Sequence, residues 1–244
     1  GRKHEHMAIY FVQILFWLRM SVVFPILALF IRSRVVEVSV TDIGLIMMVG
    51  SVGWTIFEPT FGIVADKIGK KRLAIFSILT TSLLFFAYIF ATEIWHFCLL
   101  EFALTSNLSA GSVSLRALTI DVMPIEGRGN FYSRFMATTE IGLAIGQFIG
   151  GLLADTLGSN SPFILCLGLG IVCLVPLIPM KFDNGQKPQA SSSTVVLNKG
   201  LFSKPLLSLL LVRLLFMFNF NFERGIMPIF LHESESFQAS ETQI

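Results

Sequence analysis

The sequence predicts an all-α integral membrane protein, and three observations lead to this prediction. The chain is 54% hydrophobic and only 14% charged, with a mean hydropathy of +0.74. It contains 24 phenylalanines, so it carries more apolar surface than a soluble domain of this size can withdraw from water. The apolar residues form long runs close to the roughly 20 residues that a membrane-spanning helix needs. Runs of this length are expected to be helical because lipid offers the backbone no hydrogen-bond partner.

Seven apolar runs are long enough to cross a bilayer. They fall near residues 8–31, 41–64, 73–92, 95–119, 131–155, 162–180 and 205–228. The first run is longer than the apolar core of a signal peptide and no small-residue cleavage site follows it, so we expect a retained span. The cysteines all lie inside apolar runs, without the spacing of a zinc or redox motif, and we expect them to be buried: Cys98, Cys166 and Cys173.

One long polar stretch divides the chain. Residues 181–203 are rich in Ser, Asn and Gln, a composition typical of linkers. The predicted parts are therefore a six-helix N-terminal half at 1–180, a cytoplasmic linker at 181–203, and the start of a second half at 204–244. The sequence Phe-Pro-Ile-Leu at 24–27 has an echo in Met-Pro-Ile-Phe at 227–230, which indicates that the seventh run restarts the pattern of the first. We expect the chain, which begins with Gly1, to be a fragment that ends as an eighth helix begins.

The cations are concentrated on one side of the predicted membrane. Those that follow the second, fourth and sixth runs are Lys67, Lys70, Lys71, Arg72, Arg128, Arg134, Lys181, Lys187, Lys199 and Lys204, whereas the loops between them carry only Arg32 and Arg34. Short cytoplasmic loops carry an excess of Lys and Arg. This predicts a cytoplasmic N-terminus in a multi-pass protein of the plasma membrane.

A basic hairpin joins the second and third runs at residues 62–72. Its pattern is G-x-x-x-D-[RK]-x-G-[RK]-[RK], formed by Gly62, Asp66, Lys67, Gly69, Lys70 and Lys71. It resembles the loop between the second and third helices of the Major Facilitator Superfamily of transporters. The cytoplasmic side, the six-helix spacing and the central linker agree with this resemblance. It implies a helical bundle of the superfamily type, of which this chain would hold the six-helix N-terminal half and one helix of the second half, truncated from about twelve helices.

The resemblance implies that the hairpin is a conformational latch, meaning a contact that holds the two halves together on the cytoplasmic side in one state. Asp66 would face the positive N-terminus of a helix in the second half. Lys70 would pair with Asp121 at the cytoplasmic end of the fourth helix. The family usually has Arg in place of Lys70, so the two-pronged geometry of Arg is lost. The alternative is that these cations only set the membrane topology.

The fifth run carries a second pattern that resembles a signature of antiporters in the superfamily, G-x-x-x-G-P-x-x-G-G. It is formed by Gly142, Gly146, Gln147, Gly150 and Gly151. Glycines at this spacing let helix backbones approach closely. Gln147 stands where the family has Pro, which removes the expected kink. The alternative is a plain helix-packing role.

Several polar residues lie inside the predicted spans, where a charge facing lipid costs several kcal/mol. We expect them to face a shared interior that forms a proton or substrate pathway: Arg19, Glu58, Glu101, Glu140, Gln147, Asn219 and Glu223. The third and sixth runs lack such residues and are expected to face lipid.

Proton transfer needs a carboxylate that can change its protonation state. Glu58 and Glu140 are the first candidates, and Glu101 is the third because we expect it near the outer surface. Arg19 is expected to bind an anionic substrate group or to neutralise one of these carboxylates. We expect Arg116 at the cytoplasmic interface, where long side chains reach toward water.

The resulting hypothesis is a secondary transporter that exports apolar or amphiphilic small molecules by alternating access, with a proton as the coupling ion and the lipid bilayer as its surroundings. No Walker-type phosphate loop, nucleophile–base arrangement, cofactor motif, metal-ligand spacing or nucleic-acid-binding pattern is present in the sequence, so we do not expect an enzyme. The alternative within the superfamily is uptake of a metabolite or sugar by a symporter or uniporter. The alternatives outside it are a non-transporting interaction fragment and a seven-helix receptor, although a cytoplasmic N-terminus opposes the receptor.

Overall fold

The computed structural model describes residues 2–123, 127–180, 211, 212 and 215. Its regular elements in 2–123 and 127–180 are α-helices: α1 (Arg2–Ser21), α2 (Leu27–Arg34), α3 (Val40–Ile68), α4 (Lys70–Tyr88), α5 (Ile94–Val122), α6 (Arg128–Leu157) and α7 (Ser161–Leu177). Each of the first six predicted runs is helical. The predicted linker at 181–203 and nearly all of the seventh run lie outside the described residues.

The first predicted run is not one helix but two, and Pro25 explains the division. Proline lacks an N–H, and its ring clashes with the carbonyl four residues earlier, so a helix cannot continue through it without cost. Between Ser21 and Leu27 two backbone hydrogen bonds span three residues instead of the four of an α-helix. They run from Phe24 N to the carbonyl of Ser21 and from Ile26 N to the carbonyl of Val23, both at 3.2 Å. α2 then resumes along the same run.

Consecutive long helices alternate in direction and form one packed bundle. α5 packs against α3 on one side and α4 on the other, while α1 packs against α6 and α7, and α4 also packs against α7. At the hairpin end, His6 Nε2 lies 3.0 Å from the carbonyl oxygen of Val122, which connects the start of α1 to the end of α5. At the opposite end, Arg34 donates to Asn160 Oδ1 at 2.6 Å and connects the end of α2 to the start of α7.

Among the described residues, three helices are both long and apolar enough to cross a membrane: α3, α4 and α6. α7 is apolar but has 17 residues. α1 and α5 are long but carry more polar residues, and in α5 many of these are hydroxyl side chains that the bundle buries. The expected spans therefore differ in how apolar they are, because some of them are shielded from lipid by their neighbours.

The outward face of α4 is apolar along its whole length, apart from Arg72 at its start. The exposed residues there are Phe76, Leu79, Leu83 and Phe86, at the spacing of one helix face. α7 exposes a similar face with Ile164, Ile171 and Val175. These two helices correspond to the third and sixth runs, and their exposed faces have the composition that contact with lipid requires.

A polar seam joins α4 to α5 inside the bundle. The side-chain amide of Asn107 donates to the carbonyl of Ser77 at 3.2 Å and to Thr81 Oγ1 at 3.0 Å, and it also contacts Thr80 Oγ1. In return, the hydroxyl of Ser77 donates to the carbonyl of Asn107 at 2.6 Å. Such bonds between helices stabilise packing where no water competes for them.

Candidate functional site

The hairpin turns at a single residue between two helices. α3 ends at Ile68, α4 begins at Lys70, and Gly69 between them has φ 103° and ψ 126°. A side chain at this backbone conformation would be strained, so glycine suits the position. Gly62, one and a half turns before the end of α3, has open space where a Cβ would stand.

Lys70 and Asp121, the pair that the resemblance implies, are in contact. The ammonium nitrogen Nζ of Lys70 lies 2.7 Å from Oδ1 and 2.8 Å from Oδ2 of Asp121. One ammonium group thus bridges both carboxylate oxygens, without the planar fork that Arg would provide. The two side chains are 29% and 45% exposed, so solvent screens the pair and its net contribution to stability is modest.

The other charged residues of the hairpin do not join this pair. Asp66 and Lys67 are exposed, and within the described part of the chain neither has an ion-pair partner. Lys71 points to a different helix, where its Nζ donates to the carbonyls of Ile178 and Met180 at 2.6 and 2.7 Å. The hairpin therefore divides its charges between two neighbouring helices and an exposed surface.

Glu58 and Arg116 form an ion pair between α3 and α5, with Arg116 Nη2 3.1 Å from Glu58 Oε1. Trp54, one turn before Glu58, donates from its indole nitrogen to Glu58 Oε2 at 3.1 Å. Ser112, one turn before Arg116, accepts from Arg116 Nη2 at 2.7 Å. The side chains of Arg116 and Glu58 are 36% and 19% exposed. Arg116, predicted at the cytoplasmic interface, is partly exposed, and its guanidinium also pairs with Glu58.

Glu101 is fully buried and has a different kind of environment. The hydroxyl of Tyr88, at the end of α4, donates to Glu101 Oε2 at 2.5 Å. Gly50 of α3 lies against the same side chain, since a Cβ on Gly50 would lie 2.7 Å from Glu101 Cγ. Oε1 has no hydrogen-bond partner among the described residues. Glu101 lies two turns into α5, at the end of the bundle opposite the hairpin, and its side chain is enclosed by the bundle.

Glu140 and Gln147 lie on an exposed face of α6. They are seven residues apart, which places them on the same side of the helix, with Ala144 between them. α6 is the least covered of the three candidate spans, with 22% of its most apolar stretch buried against 39% in α3 and 44% in α4.

Arg19 is completely buried between α1, α4 and α7. Its Nη1 donates to the carbonyl of Ile78 and to Ser82 Oγ, both at 2.8 Å, and a Cβ on Gly170 would lie 3.3 Å from it. Its Nε and Nη2 atoms have no hydrogen-bond partner among the residues that the structure describes. In the described part of the chain no carboxylate pairs with Arg19, so the expected neutralisation of Glu58, Glu101 or Glu140 is not seen.

Three of the four predicted packing glycines form the contact between α6 and α1. A Cβ on Gly142 would lie 2.6 Å from the carbonyl oxygen of Ile14, and one on Gly146 or Gly150 would clash with the carbonyl of Leu18 or Val22. Gly151 differs, because no atom lies within 4 Å of its Cβ position. Ser21 also donates to the carbonyl of Gly142 at 3.2 Å across this contact.

Sequence reasoning missed Tyr88, Trp54, Ser112 and Ser82 as partners of the charged residues. A signal existed for two of them, since Trp54 and Ser112 precede Glu58 and Arg116 by four residues, the spacing of neighbours on a helix. No local signal relates Tyr88 to Glu101 or Ser82 to Arg19, because these contacts join different helices. Asn219 and Glu223, predicted as polar contacts from the second half, lie outside the described residues.

The comparison with protein families gives one result that covers nearly all of the chain. The family model of the Major Facilitator Superfamily matches residues 9–243. The match therefore includes the six-helix part, the predicted linker and the seventh run.

Two curated relatives are similar to this chain. The class H tetracycline resistance protein of Pasteurella multocida is 28% identical over 171 residues, which are 70% of this chain and 42% of that protein. The quinolone resistance protein NorA of Staphylococcus aureus is 25% identical over 177 residues, which are 72% of this chain and 44% of that protein. The matched stretch thus spans less than half the length of either relative.

Proposed function

Because the chain belongs to the Major Facilitator Superfamily, we propose that it provides the N-terminal half and the start of the second half of a secondary transporter that works by alternating access. The observation that carries the proposal is the hairpin. Its Lys70–Asp121 pair fixes the turn to α5, while Asp66 remains exposed at the same end of the bundle. This arrangement suits a carboxylate that meets a helix N-terminus of the second half in one state and leaves it in the other.

We propose export of apolar or amphiphilic compounds as the direction and substrate class. Both relatives are named for resistance to drugs, one to tetracycline and the other to quinolones. The interior between α3 and α5 offers aromatic contacts that suit such compounds, since the ring of Phe57 lies 5.8 Å from that of Phe61 and 6.0 Å from that of Phe102.

We propose that a proton gradient drives transport and that Glu58, Glu101, Glu140 and Gln147 belong to the pathway of the proton or the solute. The four residues differ in their surroundings. Glu58 is paired with a cation, Glu101 is buried beside a tyrosine, and Glu140 and Gln147 are exposed on α6. Carboxyl groups within membrane spans are costly to retain, which favours a functional role for them. Arg19 is better explained as a packing residue, because its partners are a carbonyl and a hydroxyl group.

The latch is tested by replacing Asp66 with Asn in the full-length protein. The change removes a charge–dipole interaction of up to about 2 kcal/mol, so we expect a fall in the export rate of up to about thirtyfold, with unchanged membrane insertion. Export is measured in inverted vesicles with an imposed pH gradient and a tetracycline or fluoroquinolone as the solute. Asp155→Asn is the matched control, because Asp155 is exposed at the opposite end of α6.

Full activity of Asp66→Asn would exclude the latch role. If export persists unchanged after the pH gradient is collapsed by an ionophore, proton coupling is excluded while alternating access is not. The absence of solute movement in the wild-type protein, with correct insertion, would contradict the transporter proposal itself.

A further inference from the structure

Two prolines reduce the number of backbone donors at the end of α7. A helix leaves its final carbonyls without partners unless a cap supplies them. Here Pro176 lies in the last turn of α7 and Pro179 follows Ile178, and neither has an N–H, so the carbonyls of Val172 and Val175 lack the usual donor four residues later. One backbone bond at this end runs from Ile178 N to the carbonyl of Leu174 at 2.9 Å.

Lys71 supplies donors at this point. Its Nζ lies 2.6 Å from the carbonyl oxygen of Ile178 and 2.7 Å from that of Met180. A cation is favoured there because the C-terminal end of a helix carries partial negative charge. The Met180 side chain is buried, so the segment that Lys71 holds is packed against the bundle.

Lys71 and its neighbour Lys70 extend from the first turn of α4 to two different helix ends. Lys70 reaches Asp121 at the end of α5, and Lys71 reaches the residues that follow α7. Arg72, the next cation, is exposed and has neither contact. The start of α4, directly after the turn at Gly69, is thus fixed to both helix ends that flank it.

We propose that Lys71 is a positioning residue that couples the hairpin to the end of α7. The predicted linker to the second half begins at Lys181, directly after Met180. A movement of the hairpin would therefore also move the start of this linker. The effect of Lys71 on transport rests on the proposed function, whereas the anchoring contact itself does not. The proposal gives Lys71 a role different from that of Asp66, whose side chain is exposed.

The contact is tested by hydrogen–deuterium exchange in the full-length protein in lipid nanodiscs. Loss of a cation at a helix C-terminus costs a few tenths to about one kcal/mol, so Lys71→Met should speed exchange of the backbone at 177–178 roughly two- to fivefold. Lys71→Arg keeps both the charge and the donors and should restore slow exchange. Arg72→Met removes a neighbouring charge of the same hairpin and should leave exchange at 177–178 unchanged.

The coupling is tested by the export kinetics of the same variants. Lys71 does not line the interior between α3 and α5, so Lys71→Met should lower the maximal rate at least twofold and leave KM unchanged, and Lys71→Arg should restore the rate. Equal exchange in Lys71→Met and Arg72→Met would exclude the anchor. Faster exchange with an unchanged maximal rate would exclude its positioning role. If the wild-type protein fails to transport, the proposed function fails, whereas the exchange comparison still decides on the anchor.

Discussion

The charged residues inside the bundle have different polar partners, and these differences indicate what each can do. Glu58 has a cation and an indole N–H as partners, whereas Glu101 has a tyrosine hydroxyl. Arg19 has two neutral acceptors, and within 2–123 and 127–180 its other two nitrogens have no partner. Removing one member of a partly buried ion pair leaves the other with an uncompensated charge, so the cost depends on the partner that remains.

A double-mutant cycle should detect coupling between Glu58 and Arg116. Glu58→Gln and Arg116→Gln are each expected to lower the thermal stability of the purified protein, and the double variant should lose less than the sum. Because the pair is partly exposed, we expect a coupling free energy of about 1 kcal/mol. The measurement is unfolding in detergent followed by the fluorescence of Trp54 and the other tryptophans. Strictly additive losses would show that the two charges do not interact.

At the scale of helices, Pro25 and Pro59, each inside a predicted span, have opposite outcomes. Pro25 divides the first run into α1 and α2, whereas α3 continues through Pro59. Both prolines are equally visible in the sequence, so local rules do not distinguish them. The break at 22–26 lies against α6, where Gly150 leaves room for the carbonyl of Val22. The choice between a break and a continuous helix therefore depends on a contact between helices that are distant in sequence.

The contact between α6 and α1 predicts different effects for two adjacent glycines. Gly150→Ala places a methyl group against the carbonyl of Val22, and helix backbones that must separate typically cost 1–3 kcal/mol. Gly151→Ala adds the same methyl group where no atom lies within 4 Å, and we expect a change within about 0.5 kcal/mol. Thermal unfolding of the two purified variants provides the comparison. Equal stability of the two variants would show that α6 and α1 do not pack through Gly150.

At the scale of the whole molecule, the sequence predicts the helical bundle well because lipid leaves few alternatives for long apolar runs. The six runs before the linker are all helical, and the Lys70–Asp121 contact was expected from the family pattern. The contacts of Glu58 with Arg116, and of Lys71 with the end of α7, were not expected. Each joins residues more than 50 positions apart, and hydropathy contains no information about which helix faces which.

Cys166 and Cys173 are buried as predicted, whereas Cys98 is only partly buried. Cys166 donates to the carbonyl of Arg19 at 3.0 Å, and Cys173 lies 3.8 Å from the carbonyl of Val12. Serine retains a donor of similar size at both places. A variant with Cys98, Cys166 and Cys173 replaced by Ser is therefore expected to fold, and it allows the orientation of the bundle to be measured with single new cysteines.

In that background, Asn130→Cys and Ser159→Cys report opposite ends of the bundle. Asn130 lies in the first turn of α6, at the end that holds the hairpin, and Ser159 lies between α6 and α7 at the end that holds Arg34; both are exposed. The excess of Lys and Arg at the hairpin end predicts that this end faces the cytoplasm.

A membrane-impermeant thiol reagent should therefore label Ser159→Cys on intact cells and Asn130→Cys only after permeabilisation. The reverse pattern would place the hairpin outside the cell. In that case the Lys70–Asp121 pair and Asp66 would have to act on the outer side, and a cytoplasmic latch would be excluded.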